Sequence, residues 1–388
     1  MAKSGLKKII RKIPIAAGAA KIFYDWQQEK KLRAKVKKFL AKNELPFCHS
    51  APEKYAVGYE PTIRCNLRCK MCYQGATRAL RQEELGAEEV LSVFKKLEPK
   101  IKDIKLVGGE PFVRSDIFEM ITFWDNAKKR IILQTNCTLI NENNIEVLKK
   151  NKNITDILTS LDGPPQVHDA IRGVPGTFNR LEKAIKLIKE NMPDVDISAF
   201  ATMLFSDNLD NLFELVDTCK KLGLSTINIL FEQVYSSKEE KGARAIFKEV
   251  FNWGEQDYRL NTQLRDPIFP EELDIKKLKK ELQAVRRYGI KKGCFVNFTP
   301  FGFYNNLEQY INGKPGRPFC LKLLSPELRI NQKGEVIWCD VIEKSFGSLL
   351  EKTPDEIWLS DEYQKFKEYL FKESLPLCRR CCKAIYIE

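Results

Sequence analysis

The sequence predicts an α/β protein: a partial (β/α)6 TIM-like barrel, preceded by an N-terminal amphipathic helical segment and followed by a small cysteine-rich domain. Three observations predict it. Short apolar runs alternate with helical patterns from about residue 54, five of the 12 cysteines lie between 320 and 382, and basic residues crowd the first 42 positions. Alternation of this kind is typical of parallel β/α units, whose chemistry lies at the carboxyl ends of the strands.

Six apolar runs have the length of buried strands, and helical patterns lie between them. The predicted strands are Ala56–Ile63, Ile104–Val107, Ile131–Thr135, Ile157–Leu161, Ile197–Leu204 and Thr226–Leu230. The predicted helices are Ala87–Leu97, Ile117–Trp124, Ile145–Lys150, Phe178–Lys189 and Leu209–Lys221. These elements place the barrel domain at residues 51–235.

The rest of the chain divides where its composition changes. Residues 1–50 form the basic helical segment, 236–317 a connection of helix and loop, and 318–388 the cysteine-rich domain. The connection contains a predicted helix, Glu271–Arg287, and a loop, Gly302–Gly316. The last domain contains a predicted hairpin, Leu328–Ile330 with Val336–Trp338, and a helix, Asp355–Tyr369.

The N-terminal segment carries most of the net charge. Residues 1–42 hold 13 Lys or Arg and two acids, so they contribute +11 of the total of +13. Apolar residues recur there at helical spacing: Leu6, Ile9, Ile10, Ile13, Leu32, Val36, Phe39 and Leu40. Such a helix suits an anionic membrane surface, packing on the body of the protein, or, as the least favoured of the three, nucleic acid.

The cysteine usage indicates a metal protein in a reducing compartment. A disulfide framework is typical of short secreted chains, and only two histidines are present, which argues against a His-rich zinc or copper catalyst. The charged start and the apolar stretch 13–20 imitate a secretion signal, but Pro14 and Lys21 interrupt the apolar run. We therefore expect a cytoplasmic protein, with peripheral contact on the inner face of the membrane if the helix binds there.

Cys65, Cys69 and Cys72 are spaced C-x3-C-x2-C directly after the first predicted strand. Three close thiolates can hold three irons of a [4Fe–4S] cluster, which leaves the fourth iron open to another ligand. By spacing alone, the alternatives are three buried cysteines or a zinc site with a fourth ligand from elsewhere.

With its surroundings, this loop resembles the cysteine motif of the radical S-adenosylmethionine (SAM) superfamily. The resemblance implies that SAM binds the open iron, that an electron cleaves it, and that a 5′-deoxyadenosyl radical abstracts hydrogen from substrate. It also implies a reductant such as ferredoxin or flavodoxin. Further matches to family motifs assign SAM contacts to Gly108, Gly109, Glu110, Asn136, Ser160 and Arg172.

Three neighbours of these motifs have structural explanations instead. Cys137 stands where the family often has glycine, and we predict a small buried residue there. His168 and Asp169 are predicted to serve loop and cap chemistry before the next helix.

A second set of cysteines, Cys320, Cys339, Cys378 and Cys381, suits either an auxiliary [4Fe–4S] cluster or zinc. Their spacing resembles the C-terminal SPASM or shorter twitch domains of radical SAM enzymes, which implies an auxiliary cluster in electron transfer. Cys382 is a substitute candidate for Cys381. Cys48, Cys219 and Cys294 lack a partner at ligand spacing and are predicted to be structural.

The leading hypothesis is a radical SAM oxidoreductase acting on an unidentified substrate. A radical SAM maturase of peptides or proteins is the alternative within the same class. The alternative from another class is a non-catalytic zinc or iron–sulfur protein that binds nucleic acid through residues 1–42; it predicts salt-dependent binding and no SAM cleavage.

Overall fold

The computed structural model describes residues 14–47, 50–74, 83–261, 263–264, 273–299, 303–312 and 316–387. Its centre is a sheet of eleven strands in the order β10-β6-β5-β4-β3-β2-β1-β12-β13-β14-β8. The strands are β1 Tyr55–Tyr59, β2 Ile101–Leu106, β3 Arg130–Gln134, β4 Ile154–Ser160, β5 Asp196–Met203, β6 Thr226–Phe231, β7 Val234–Tyr235, β8 Tyr258–Leu260, β9 Gln263–Leu264, β10 Phe295–Thr299, β11 Pro318–Cys320, β12 Glu327–Ile330, β13 Glu335–Ile337, β14 Ile342–Ser348 and β15 Ala384–Tyr386.

Twelve α-helices lie in the described residues. They are α1 Pro14–Lys42, α2 Ala87–Leu97, α3 Ile117–Asn126, α4 Glu142–Leu148, α5 Pro165–Arg172, α6 Thr177–Asn191, α7 Leu212–Lys221, α8 Ser237–Phe251, α9 Ile275–Lys292, α10 Phe303–Asn312, α11 Pro354–Trp358 and α12 Asp361–Lys372.

Strands β1 to β6 are parallel and adjacent in chain order, with helices in the crossovers. The α/β class with a parallel core is therefore confirmed. Alternation within a strand shows why: in β2, Ile101, Ile104 and Leu106 are buried, while Lys105 between them points to the other face. The apolar set packs in the core, and the other set is left to line the inside of the curved sheet.

The region 236–317 holds elements that the sequence prediction did not include. A seventh parallel strand, β10, pairs with β6 and extends the predicted six. The segment Gly302–Gly316, predicted as a loop, contains α10. Leu307, Tyr310 and Ile311 are buried at helical spacing, but Gly and Asn residues nearby conceal so short an apolar face in the sequence.

The C-terminal domain continues the main sheet. Strand β12 pairs in parallel with β1, and the predicted hairpin is confirmed as β12 and β13. At this junction the buried Arg329 contacts the buried Glu60 at 3.3 Å and Asp340 at 2.5 Å. The predicted helix Asp355–Tyr369 is wrong as one element, because the chain turns between α11 and α12.

Helix α1 packs on the body of the protein. Val36 is fully buried, and the Arg33 guanidinium donates to the Tyr386 carbonyl at 2.7 Å and to Asn306 Oδ1 at 3.0 Å. Packing on the body was one of the three alternatives for this segment. Leu6, Ile9, Ile10 and Ile13 lie outside the described residues. In the part of the chain that is described, no helix is long and apolar enough to cross a membrane.

Candidate functional site

A cavity of about 1250 Å³ lies at the carboxyl ends of the parallel strands. Cys65, Cys69 and Cys72 line it, and so do Cys382 and Lys383 from the C-terminal domain. The two groups of cysteines are more than 240 residues apart in the chain. The fold therefore brings the first predicted metal site and Cys382, the substitute candidate of the second, to one cavity, whereas Cys320, Cys339, Cys378 and Cys381 are not among the residues that line it.

The first cysteine loop is held by backbone bonds to the end of α5. The Arg68 and Lys70 amides donate to the Arg172 and Ile171 carbonyls at 3.0 and 2.9 Å. Donors also approach the sulfur atoms: the Leu67 amide lies 3.4 Å from Cys65 Sγ, and Arg172 Nη1 lies 3.5 Å from Cys69 Sγ. Three thiols facing one space, with donors aimed at their sulfurs, fit a cluster held by three protein ligands.

Gly108 and Gly109 pack against the segment that leads into these cysteines. Gly108 has a φ of +131°, and a Cβ there would lie 2.5 Å from the Thr62 carbonyl oxygen. A Cβ on Gly109 would lie 2.1 Å from the Arg64 carbonyl oxygen. The Gly109 amide donates to the Thr62 carbonyl at 2.8 Å. The paired glycines thus permit a close approach that larger residues would prevent.

Glu110 is fully buried beneath the cavity wall. Its carboxylate accepts hydrogen bonds from Thr135 Oγ1 and the Asn136 amide, both at 2.7 Å, and from the Phe112 amide at 3.2 Å. Burial raises the pKa of Glu110 to about 7, although the three donors favour the ionised form. In this arrangement Glu110 fixes the turn after β3, whereas Gly108, Gly109 and Asn136 reach the cavity.

Ser160 and Arg172 also line the cavity. Arg172 Nε donates to Asp162 Oδ2 at 2.6 Å, which fixes the plane of the guanidinium. Burial opposes the charge, but the Asp162 carboxylate outweighs it and raises the pKa of Arg172. Arg172 therefore remains a cation whose other nitrogens are presented towards the first cysteine loop.

The structural explanations for the three neighbouring residues are confirmed. Cys137 is fully buried with a φ of +63°, a conformation that suits the glycine found there in the family. The Asp169 carboxylate accepts from the Gly176 and Phe178 amides at 2.6 and 2.7 Å, so it caps α6. His168 is buried, and that burial lowers its pKa to about 4.

The second set of cysteines is assembled by the pairing of β11 with β15. Cys320 lies opposite Ala384, and the Leu321 amide donates to the Lys383 carbonyl at 2.8 Å. Burial, with Cys320 and Cys339 nearby, raises the pKa of the Cys378 thiol. Burial by itself opposes the thiolate, so what fits a metal site is that several thiols lie close together, where a bound metal would supply the compensating positive charge.

Five thiols compete for the second site. The Lys383 amide and Gln233 Nε2 approach Cys381 Sγ at 3.3 and 3.9 Å, while Cys382 faces the cavity. The choice between Cys381 and Cys382 as ligand stays a prediction. Within the described ranges, no three His, Cys, Asp or Glu side chains surround a point that would hold a single metal ion.

Cys219 and Cys294 meet each other in the core, with their sulfur atoms 3.3 Å apart and both residues fully buried. They lie away from the residues that line the cavity, which agrees with a structural role. Cys48 falls outside the described residues.

Sequence reasoning missed several residues of the cavity. Lys105 enters it from β2, Trp26 from α1, and one face of α9 contributes Lys279, Gln283, Arg286 and Arg287. The α9 residues are spaced i, i+4, i+7 and i+8, so a helical period was visible. The helical period could not show that this polar face borders the cavity instead of facing solvent.

Comparison with known protein families agrees with this geometry. The radical SAM superfamily matches residues 59–232, and SPASM, an iron–sulfur cluster-binding domain, matches residues 320–382. The first match contains the cysteine loop and the motifs at the ends of β2 to β4. The second contains the C-terminal cysteines and supports iron–sulfur over zinc for that site.

Individual relatives are more distant. The AdoMet-dependent heme synthase of Oleidesulfovibrio alaskensis is 26% identical over 339 residues, which cover 85% of this chain and 81% of that protein. The subtilosin biosynthesis protein AlbA of Bacillus subtilis is 30% identical over 171 residues, covering 42% of this chain and 36% of AlbA. The crystal structure of SuiB from Streptococcus suis shares the fold, with a TM-score of 0.58 and 17% identity over 90% of this chain and 77% of SuiB.

The family matches remove the non-catalytic alternative, because the matched family is one of enzymes that use SAM and a [4Fe–4S] cluster. This chain belongs to the radical SAM superfamily and carries a C-terminal SPASM iron–sulfur domain.

Proposed function

We propose that the chain is an oxidoreductase that removes hydrogen from a substrate held between its two cysteine sites. The observation that supports this is the cavity that Cys65, Cys69 and Cys72 line together with Cys382 of the C-terminal domain. When bound, a [4Fe–4S] cluster and SAM supply the 5′-deoxyadenosyl radical, as cofactors carry the hard chemistry and the protein positions them.

The residues around the first site divide the work of binding SAM. Arg172, held by Asp162, offers planar donors that suit a carboxylate. Asn136 and Ser160 add polar contacts at the ends of β3 and β4, and Gly108 and Gly109 leave room for the ligand. Glu110 positions Asn136 by accepting a hydrogen bond from its backbone amide.

The second site is proposed to accept an electron. Removal of a hydrogen atom leaves a substrate radical, which becomes a stable oxidised product when it loses one electron and one proton or leaving group. An auxiliary cluster at Cys320, Cys339, Cys378 and Cys381 would take that electron, because its site adjoins the cavity through Cys382 and Lys383. Ferredoxin or flavodoxin is the proposed reductant for the first site.

The first experiment measures 5′-deoxyadenosine after anaerobic reconstitution, reduction with dithionite and addition of SAM. The parent is expected to form it, and the Cys65→Ala/Cys69→Ala/Cys72→Ala variant is not. The Cys219→Ala/Cys294→Ala variant is the matched control, since these thiols lie away from the cavity. A parent that holds iron and sulfide but forms no 5′-deoxyadenosine, even with candidate substrates, contradicts the proposal.

The second site has its own test. A Cys320→Ala/Cys339→Ala/Cys378→Ala variant should lose about half of the bound iron, since each [4Fe–4S] site holds a similar share. It should still cleave SAM but form no oxidised product. Unchanged iron content would remove the auxiliary cluster from the mechanism.

Peptide maturation is the second candidate function. It is favoured by the similarity to AlbA and by the fold shared with SuiB. The similarity to the heme synthase does not favour a peptide substrate, and it extends over most of both chains. Transfer of deuterium from a labelled precursor peptide into 5′-deoxyadenosine would support it.

Contact with a membrane surface through residues 1–42 also stays a proposal, supported by the net charge of +11 there. It predicts that the full chain floats with anionic but not neutral vesicles, and that salt abolishes the effect.

A further inference from the structure

The cavity has an excess of positive charge that the SAM site does not use. Six cationic and two anionic side chains line it. Arg172 belongs to the SAM site and Lys383 contacts Glu327 at 3.9 Å. The other four cations are Lys105, Lys279, Arg286 and Arg287.

Lys105 lies on the face of β2 that lines the cavity. Its ammonium forms no hydrogen bond or ion pair with the described residues. Burial, together with the nearby cations Arg329 and Lys383, lowers its pKa to about 8, and the carboxylates of Asp340 and Glu327 only partly offset this. A lysine that is costly to keep charged, and that points into a cavity, suits a ligand that brings the missing negative charge.

The other cations form one face of α9. Lys279, Arg286 and Arg287 are spaced so that their side chains lie along the same side of the helix, and all three line the cavity. Lys279 and Arg287 have no hydrogen bond or ion pair with the described residues. The adjoining face of α9 anchors the helix, because Leu278, Leu282 and Val285 are buried.

Lys105 and the α9 cations belong to elements that are far apart along the sheet. Strands β3 to β6 stand between β2, which carries Lys105, and β10, which follows α9. Between them polar and apolar side chains both line the cavity, and the apolar ones include Phe200, Leu230, Phe231 and Phe298. Cations at two separate places, with aromatic side chains between them, match a ligand with acid groups at two places on an apolar body.

We propose that the substrate is a small polycarboxylic acid with an apolar body, and that Lys105 and the α9 cations Lys279, Arg286 and Arg287 bind its acid groups. This rests on the proposed function, since it assigns the substrate class of the same cavity. The cavity volume of about 1250 Å³ exceeds what one small ligand commonly occupies, so SAM and a second molecule have room together.

The test measures binding of a probe to the reconstituted full chain with SAM present, by anaerobic equilibrium dialysis. Coproporphyrin III is the probe, because it places carboxylates around a planar apolar body; its neutral tetramethyl ester and citrate are the comparison ligands. We expect the acid to bind, more weakly at high ionic strength, and both comparison ligands to bind at least ~tenfold less tightly.

Matched variants identify the residues. Lys105→Met and Lys279→Met/Arg287→Met should each weaken binding of the probe at least ~tenfold, and Lys105→Arg should restore most of it. The controls are Lys102→Met and Lys280→Met, neighbours on β2 and α9 whose side chains are exposed and do not line the cavity. Both should bind like the parent.

Three results would overturn the inference: no binding of the acid by the parent, equal binding of the ester, or unchanged binding by the cavity variants. Formation of 5′-deoxyadenosine is measured on the same preparations. A parent that cleaves SAM but does not bind the acid refutes the substrate class alone, whereas one that binds the acid but never cleaves SAM refutes the proposed function.

Discussion

Gly109 shows how strongly single positions constrain this site. An added Cβ would meet the backbone at Arg64, which cannot move without displacing the cysteine loop that follows. The motif that sequence analysis linked to SAM is therefore also a packing requirement of the cluster site. Spacing in the sequence located these glycines, but only the fold shows that they lie against the segment before Cys65.

We predict that Gly109→Ala disrupts the first cluster site. Because the new methyl group would lie 2.1 Å from the Arg64 carbonyl oxygen, the loop must shift, and the iron content should fall by about half with loss of SAM cleavage. Gly86→Ala is the control, since a Cβ there meets no atom closer than 3.6 Å. Normal iron content in Gly109→Ala would show that the loop adapts.

Lys105 illustrates the cost of a buried cation. We predict that Lys105→Met stabilises the ligand-free protein at neutral pH by about 1–3 kcal/mol, since one pKa unit corresponds to about 1.4 kcal/mol. The pKa falls from 10.5 unfolded to about 8 folded, so the unfolded parent binds more protons between these values. The stability of the parent therefore rises with pH across that window, and the advantage of the variant is full below it and lost above it.

Denaturant unfolding of both proteins from neutral to alkaline pH measures this difference. Lys102→Met, an exposed change on the same strand, should show no such dependence. A variant less stable than the parent at neutral pH would mean that Lys105 is well compensated without a ligand.

At the scale of elements, α1 and α9 decide what encloses the cavity. Both helices are rich in lysine and arginine, and the sequence did not show what either of them covers. Trp26 of α1 and one face of α9 nevertheless line the cavity. Periodicity shows that a helix has two faces, but it cannot show which polar face is later covered by another element.

Docking of α1 is predicted to depend on Val36. Val36→Ala should destabilise the protein by roughly 1–2 kcal/mol, because it removes fully buried methyl groups. Lys37→Ala, at the next and exposed position, should have little effect. Equal unfolding midpoints for the two variants would indicate that α1 contributes little to the cooperative unit.

At the scale of the whole molecule, β12 joins the parallel strands β1 to β6 to the C-terminal domain through β1. The buried contact between Arg329 and Glu60 crosses this junction, beside Asp340 and the second cysteine site. The main sheet thus continues from the strands around the first cysteine site to β13 and β14, between which Cys339 lies, whereas Cys320 belongs to the separate pair of β11 and β15. This continuity brings the C-terminal domain, with Cys382, to the cavity that Cys65, Cys69 and Cys72 line.

Loss of Arg329 should therefore destabilise both the parallel strands and the C-terminal domain. Arg329→Met leaves Glu60 and Asp340 without their cation and should destabilise the protein by about 3–5 kcal/mol. Glu60→Gln/Arg329→Met should recover part of that loss, as would be measured by denaturant unfolding. Strictly additive effects of the two changes would show that the pair is not coupled.

By itself, the sequence determined the α/β class, the order of the first six strands, both sets of cysteines and the motifs at the strand ends. These features depend on local spacing and alternation, which the chain displays directly. Only the tertiary structure decided that β10 joins the sheet, that α10 replaces a predicted loop, and that Lys105 and the α9 cations share a cavity with both cysteine sites. Those outcomes depend on contacts between distant segments, and burial by a remote neighbour leaves no local pattern in the residues that it covers.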